Sequence, residues 1–438
     1  MKSTDLTQHH QMDFGGMRPI GMPEADFGKA LGRVLSPSRP LQSEEFLKGR
    51  EQQLTGIKRA LYQEGRHILI HGLRGVGKSS LAQTSAYSLP NTAEPIVIGC
   101  DEKSTFRSLM KEVFDQAEEK APHLGKEVRQ GRISFAQFGI GAQAQAQREY
   151  GPAETPASVN EAVRLIEYIE SKVGKKLVVV IDEFDLISGR EEQVSFTNFL
   201  KQISDRHVSA TFIVCGIGES AQALMSAHAS ADRYFHTVNL GPLPWEARFE
   251  IVETAASALG ILVDRDTVIR IARISNGFPH YVHFVSEHLF WSVFGSRGYK
   301  VTPEIYQEAI SKAAAAMDMK LRGPYEKATQ KYNNDYETIL WAAADGHELR
   351  RRSTDIFVSY ERIMRDRDED ALPRSRFNQR INALKKESHA AILTGTRAGW
   401  YEFSEMMIRG YVRLRAEIKG VELDDDHPAV SGANRTLD

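Results

Sequence analysis

Eight residues, Gly72 to Ser79 (GLRGVGKS), carry the first chemistry legible in the chain. They fit the pattern G-x-x-x-x-G-K-[ST], which gathers backbone N–H groups, an ammonium and a hydroxyl around one anion. Gly72, Gly75 and Gly77 permit backbone conformations and close approaches that a Cβ would obstruct. The N–H groups along Gly72, Leu73, Arg74, Gly75, Val76 and Gly77, and at the helix start Lys78-Ser79-Ser80, would then cradle nucleoside phosphates. Lys78 would reach the β- and γ-phosphates and Ser79 would ligate Mg²⁺. A second stretch, LVVVIDEFD (177–185), is an apolar strand that runs into acids. In a phosphate-binding fold of this kind it is expected beside the P-loop strand, with Asp182 in the Mg²⁺ shell and Glu183 polarising the attacking water as general base.

These residues need a scaffold that brings strand ends together, and the chain reads as one. Strand-like runs occur at 67–71, 95–100, 177–182, 210–215 and 235–240, the middle ones almost continuously apolar. Such runs suit parallel strands covered on both faces. Helical patterns at 104–119, 159–173 and 192–205 separate them. Strand and helix in alternation predict a doubly wound α/β fold with a parallel sheet, the nucleotide at the carboxyl ends of its strands. An insertion at 131–157 interrupts the order and fits a β-hairpin or a loop. After Pro242 the pattern turns helical, at 245–259, 266–275, 280–294 and 303–317, with Thr302-Pro303 as N-cap and first helical residue. The expected domains are a flexible N-terminal arm (1–36), a P-loop core (37–242), a helical lid (243–320), a third domain (325–418) and an acidic tail (419–438).

The chain has 438 residues, enough for two or three domains, with 41% hydrophobic and 26% charged residues. A net charge of −2 leaves the whole molecule uncommitted to nucleic acid or anionic lipid, so only local patches could argue for DNA. No apolar run is long enough to span a bilayer, and no membrane partner is expected. Cys100 and Cys215 end apolar runs and read as buried free thiols, consistent with a cytoplasmic protein.

Upstream of the P-loop, FLKGREQQLTGIKRAL (46–61) contains a Gly-Arg-Glu element. Together with GLRGVGKS and VVVIDEFD it resembles AAA+ ATPases of the origin-recognition/initiator clade and the related STAND signalling NTPases, over roughly residues 40–320. The resemblance implies ATP as the nucleotide, held between core and lid, with Phe46, Leu47, Gly49 and Arg50 lining the adenine pocket. It places Arg233, just before the last core strand, where such proteins reach a neighbouring subunit's γ-phosphate, which implies a homo-oligomer in the ATP state. The polar sensor at the end of the fourth strand is replaced here by Cys215-Gly216, with Ser220 beyond. NGFPHYVHF (276–284) is similar to the Gly-x-Pro element of the lid, and His280 stands where relatives often carry a sensor arginine. His280, His283 and Glu287 share a helix face at i, i+3, i+7, most simply as polar residues on a solvated face rather than a metal site.

In the third domain, PRSRFNQRINALKKES (373–388) is a helix with an apolar stripe of Phe377, Ile381 and Leu384. Over 373–397 six basic residues, Arg374, Arg376, Arg380, Lys385, Lys386 and Arg397, face one acid, Glu387, a local net of +5. AILTGTRAGWYEF (391–403) follows as a hairpin with Gly395 and Gly399 bracketing Arg397. A basic helix before an arginine-tipped hairpin resembles a winged helix-turn-helix, which would set the helix in a major groove and the wing on phosphates of double-stranded DNA. The acidic run Asp366, Asp368, Glu369 and Asp370 stands directly before that helix and opposes phosphate. Two functions follow: an ATP-hydrolysing switch acting on DNA, or a STAND-type signalling or defence ATPase triggered by a protein effector or sensor.

Overall fold

The computed structural model describes residues 21–120, 155–187, 189–218, 224, 231–329, 335–396 and 399–423. Most of the 131–157 insertion, Ser220, Arg397 and the acidic tail beyond residue 423 lie outside them. The chain divides into two compact units, Arg39–Pro242 and, from Leu243 onward together with the N-terminal stretch, a second.

The five apolar runs of the first unit form five strands: β1 (His67–Gly72), β2 (Ile96–Gly99), β3 (Val178–Asp182), β4 (Thr211–Gly216) and β5 (Phe235–Leu240). They make one parallel sheet in the order β2-β3-β4-β1-β5. β3 and β4 are buried along nearly their whole length, which is why they read as unbroken apolar runs. Contrary to the expectation from the sequence, the acid strand β3 does not lie beside the P-loop strand β1; β4 intervenes. Because all five strands run the same way, their carboxyl ends still share one edge of the sheet.

Helices α2 (Glu51–Leu61), α3 (Lys78–Tyr87), α4 (Phe106–Lys120), α5 (Val159–Val173), α6 (Arg190–Asp205) and the single turn α7 (Ala231–Tyr234) accompany the strands. α5 starts at a Ser158 cap whose Oγ accepts from the Glu161 N–H at 3.3 Å, and stops at Gly174 in the left-handed region. His67, at 0% exposure, is a core histidine: Nδ1 accepts from the Phe212 N–H at 3.2 Å and Nε2 donates to Leu200 O at 3.1 Å. Burial pushes its pKa down to about 4, so the ring is neutral. At the sheet edge, Gln116 brackets Val97, donating to its carbonyl at 2.9 Å and accepting from its N–H at 3.3 Å. That amide occupies hydrogen-bonding groups an exposed edge strand would otherwise present.

The second unit opens with α1 (Glu24–Val34), where a flexible arm was expected. Phe27 and Leu31 are buried, and Phe27 stacks on Phe294 at 4.4 Å and meets Trp291 edge-on at 5.0 Å. Apolar burial at i, i+4 orders a segment whose short length conceals its period. The helical part comprises α8 (Trp245–Ala258), α9 (Arg265–Ser275), α10 (Pro279–Gly295) and α11 (Pro303–Ala316), close to the segments read from sequence. Then follow α12 (Met319–Thr329), α13 (Asp335–Ala344), β6 (Arg350–Arg352), α14 (Ser353–Asp366), α15 (Arg374–Ala383), the hairpin β7 (Leu393–Gly395) and β8 (Trp400–Phe403), and α16 (Met406–Ile418). β6 was not foreseen; it pairs antiparallel with β8 and completes a three-stranded sheet, β6-β8-β7. The start of the expected solvated tail is also packed, with Val421 and Leu423 buried.

α16 ties this unit together. Arg409 and Arg413 donate to the carbonyls of Ala344, Asp345 and Gly346 at 2.5–3.1 Å, satisfying the open C-terminus of α13. Toward α9 and α11, Glu417 takes the Arg270 Nε at 2.5 Å and the Tyr306 hydroxyl at 3.2 Å. Burial raises the Glu417 carboxyl, and Arg270 opposes that rise. Toward α10, the Tyr281 hydroxyl donates to Met407 O at 2.6 Å, its ring lying over Gly410. A Cβ at Gly410 would stand 2.3 Å from that ring. Gly410→Ala is therefore expected to cost about 1–3 kcal/mol by overpacking, read as a lower melting temperature of the second unit; an unchanged melt would mean that α16 does not pack on α10 this closely.

Candidate functional site

β1 delivers the chain to the P-loop through one close contact. Gly72 lies opposite Leu240 of β5 at φ +152°, and a Cβ there would be 2.2 Å from the Leu240 carbonyl oxygen. Gly75 and Gly77 are left-handed at φ +79° and +96°, and Gly77 hands the chain to α3. All three glycines read from the motif are thus required by geometry. The N–H groups at the start of α3 have no intrahelical acceptors, which suits an anion there.

Lys78 folds back on its own loop, donating to Leu73 O at 2.9 Å and Gly72 O at 3.2 Å. Burial lowers its pKa, and Asp185 and Asp182 oppose that shift. Ser79 stands half-buried in the first turn of α3. The Ser80 hydroxyl accepts from the Leu41 N–H at 3.2 Å, so its side chain anchors the entering segment and only its N–H is left for a phosphate.

Below the loop, Val76 is buried at 0% exposure, and its carbonyl accepts from Arg50 Nη2 at 3.1 Å. The same nitrogen donates to Gly241 O, just past β5, at 2.6 Å. Arg50 is 5% exposed, and burial pushes its pKa down to about 10, which leaves it charged at neutral pH. Arg50 therefore clamps the P-loop to the end of β5 through two carbonyls. Gly49, at φ +68° with its N–H on Glu51 Oε1 at 2.8 Å, makes the turn into α2. Phe46 is half-buried in the turn before it, and Leu47 is buried.

The acid strand ends in an unusual conformation. Asp182 closes β3 and accepts the Glu183 N–H at 2.9 Å on Oδ1. Glu183 itself is left-handed at φ +53°, a conformation costing a non-glycine residue of order 1–3 kcal/mol. Phe184 next to it is fully buried and holds the turn. Asp185 forms an ion pair with Arg74 Nη2 at 3.2 Å, joining the acid turn to the tip of the P-loop. No role for Asp185 was read from the sequence, although its i, i+3 spacing from Asp182 in a short turn was a usable signal. Among the described residues no three acidic, histidine or cysteine side chains form a metal-holding group. One carboxylate at Asp182 and one hydroxyl at Ser79 fit Mg²⁺, which keeps waters and substrate phosphates as its remaining ligands.

The remaining candidates are engaged elsewhere or lie at the surface of their own units. Cys215 is fully buried with its Sγ 3.9 Å from Lys78 O, and burial raises the thiol well above its usual range, so it supplies no polar sensor. Arg233 is exposed on α7, immediately before β5. His280 Nδ1 lies 3.0 Å from Pro37 O, and its ring stacks on Phe284 at 5.5 Å; burial lowers its pKa, which keeps the ring neutral at pH 7. His283 is not on a solvated face: it is 4% exposed, accepts from the Ser36 N–H at 3.4 Å, and is pushed down to about 4 by burial.

The basic helix α15 is more engaged than its sequence suggests. Phe377, Ile381 and Leu384 are all at 0% exposure, as the stripe predicts. Arg374 donates to Ser353 Oγ at 3.0 Å and lies over Phe357 at 4.4 Å. Arg380 donates to the Tyr336 hydroxyl at 3.0 Å and pairs with Asp335 at 3.5 Å, and Lys385 stands 5.3 Å from the Tyr401 ring centroid. Arg376 and Lys386 are exposed. In the acidic run, Asp366 pairs with Arg362 at 3.3 Å and Glu369 with Arg367 at 2.7 Å, which offsets part of its charge.

Residues 47–214 match the family model of the AAA ATPase domain, which bears out the resemblance read from the motifs over that segment. No curated protein matches the chain. Similar solved structures include a Walker-type ATPase, PABY2304, of Pyrococcus abyssi, at 17% identity and a TM-score of 0.47, covering 86% of this chain and 99% of that one. They also include Cdc6p from Pyrobaculum aerophilum, at 13% identity and a TM-score of 0.44 over 89% and 98% of the two chains. The Aeropyrum pernix ORC2 protein, in ADPNP–ADP complexes, gives 11% and 0.48 over 89% and 98%. Likeness at this level transfers neither substrate nor partner.

Removing the clamp tests the site as built. Arg50→Met leaves the Val76 and Gly241 carbonyls without their charged donor, at about 1.5–3 kcal/mol for such a bond. We expect roughly tenfold or greater loss of affinity for a fluorescent ATP analogue, together with a lower melt of the first unit. Unchanged affinity would show that the loop holds its shape without Arg50.

Proposed function

We propose that this protein is an ATP-binding and ATP-hydrolysing molecular switch whose third domain (325–418), a winged helix, contacts double-stranded DNA. The observation that carries the ATPase reading is the convergence of the P-loop and the acid turn, joined by Arg74 and Asp185 at 3.2 Å. The N–H groups from Gly72 to Ser80 receive the phosphates, and Lys78 exchanges the Leu73 and Gly72 carbonyls for the β- and γ-oxygens. Mg²⁺, held through Ser79 and Asp182, would supply charge neutralisation on those oxygens. Glu183, displaced from strand geometry by its left-handed backbone, takes a proton from the attacking water. Arg233, exposed before β5, is the group a second copy of the chain would receive at its own nucleotide.

The DNA reading rests on the order of helices, strand and hairpin around α15, and on the exposed Arg376 and Lys386. A second reading, a switch triggered by a protein partner, draws on the internal engagement of Arg374, Arg380 and Lys385.

Glu183→Gln should bind ATP normally and lose turnover by at least about 100-fold, the usual worth of a positioned base; full turnover would remove Glu183 from that role. Steady-state hydrolysis with and without duplex DNA separates the two readings, stimulation that fades with salt favouring DNA. Arg376→Glu with Lys386→Glu should abolish duplex retention without altering ATP binding. Unchanged retention would move the assignment to a protein partner.

A further inference from the structure

The three-stranded sheet carries a second basic surface that neither the basic helix nor the hairpin tip accounts for. Along β6 the side chains alternate. Arg351 turns inward, donating to Ala342 O at 2.7 Å and Ser359 Oγ at 3.0 Å. Arg350 and Arg352 take the other face and are exposed. Both guanidiniums rest on one aromatic side chain of β8, Trp400, at 5.6 Å and 4.9 Å from its ring centroid. Trp400 lies directly opposite Arg352, and Glu402 lies opposite Arg350. Among the described residues, neither Arg350 nor Arg352 forms an ion pair with a carboxylate.

Two cations two residues apart on one strand face repel each other. Cation–π contact with Trp400 opposes that repulsion. It also holds each planar fork in a preferred place, reducing the freedom lost when an anion binds. The surface continues toward α15: Arg352 precedes Ser353 at the start of α14, and Ser353 Oγ accepts from Arg374 at 3.0 Å. Arg350, Arg352 and Arg374 thus line one stretch of this surface, with Glu402 opposite Arg350.

We infer that the Arg350–Trp400–Arg352 face binds the phosphodiester backbone of the same DNA duplex that α15 engages. This rests on the DNA reading above and adds a sequence-independent contact to it. The arginines would act as pre-oriented phosphate clamps, with Trp400 as their support, fixing the register of the unit on the duplex rather than reading bases.

The test uses the full chain and fluorescein-labelled duplexes of two unrelated sequences, with binding followed by anisotropy across a salt series. Arg350→Gln with Arg352→Gln should weaken binding to both duplexes alike and lower the slope of log K against log salt by about 1.8, at 0.9 per phosphate contact. DNA-free ATP turnover should not change. Arg350→Lys with Arg352→Lys keeps the charge and should keep most of the slope, which separates lost contacts from a damaged sheet. A wild-type slope in the glutamine pair, while the Arg376/Lys386 pair still loses binding, overturns this inference and leaves the DNA reading standing. Failure of the wild-type protein to retain either duplex overturns both.

Discussion

The site depends on how closely β1 and β5 pack where the P-loop begins. At Gly72 the backbone passes so near the Leu240 carbonyl that no side chain fits, and one residue beyond the end of β5 the Gly241 carbonyl offers Arg50 its second acceptor. The loop is therefore gripped from both ends, by contact at Gly72 and by a buried guanidinium at Val76. A buried charged arginine is tolerable because its guanidinium is hydrogen-bonded to the Val76 and Gly241 carbonyls. Everything the loop can do for a phosphate follows from being held open in this way.

A similar economy organises the second unit. Long arginines of α16 close the carbonyl end of α13, while Glu417 and Tyr281 bind the same helix to α9, α10 and α11. Buried ion pairs give little net stability, yet breaking one partner is costly, so such a network defines one arrangement more than it deepens the energy well. The helical segment and the sheet-bearing segment thereby belong to one compact unit. Any partner engaged by α15 acts on all of it.

Local signals carried most of the architecture. The five strands appear within a residue or two of where the sequence places them, most sharply β3 and β4, because strands covered on both faces have few polar positions to blur their ends. The helices at 245–316 were legible from their starts as much as their periods, α9 and α11 opening on side-chain caps at Asp264 and Thr302 and α10 and α11 on a first-turn proline. Elements that were missed lack such patterns. α1 is held by two side chains on a distant helix, and β6 consists of three arginines that only a neighbouring strand can make into a strand. The intervention of β4 between β1 and β3 was equally invisible, since each strand's own sequence says nothing of its neighbours.

By itself the sequence determined the identity and order of the groups proposed to handle a phosphate, namely the glycines, Lys78, Ser79 and the adjacent carboxylates Asp182 and Glu183, because spacing along a chain survives folding unchanged. Only the tertiary structure decided where those groups are spent. It put Arg50 on two backbone carbonyls, Asp185 on Arg74, Arg380 on Asp335, and two unforeseen arginines on Trp400. Each of those pairings joins residues apart in sequence, and the energy of a charge is set by what surrounds it in space.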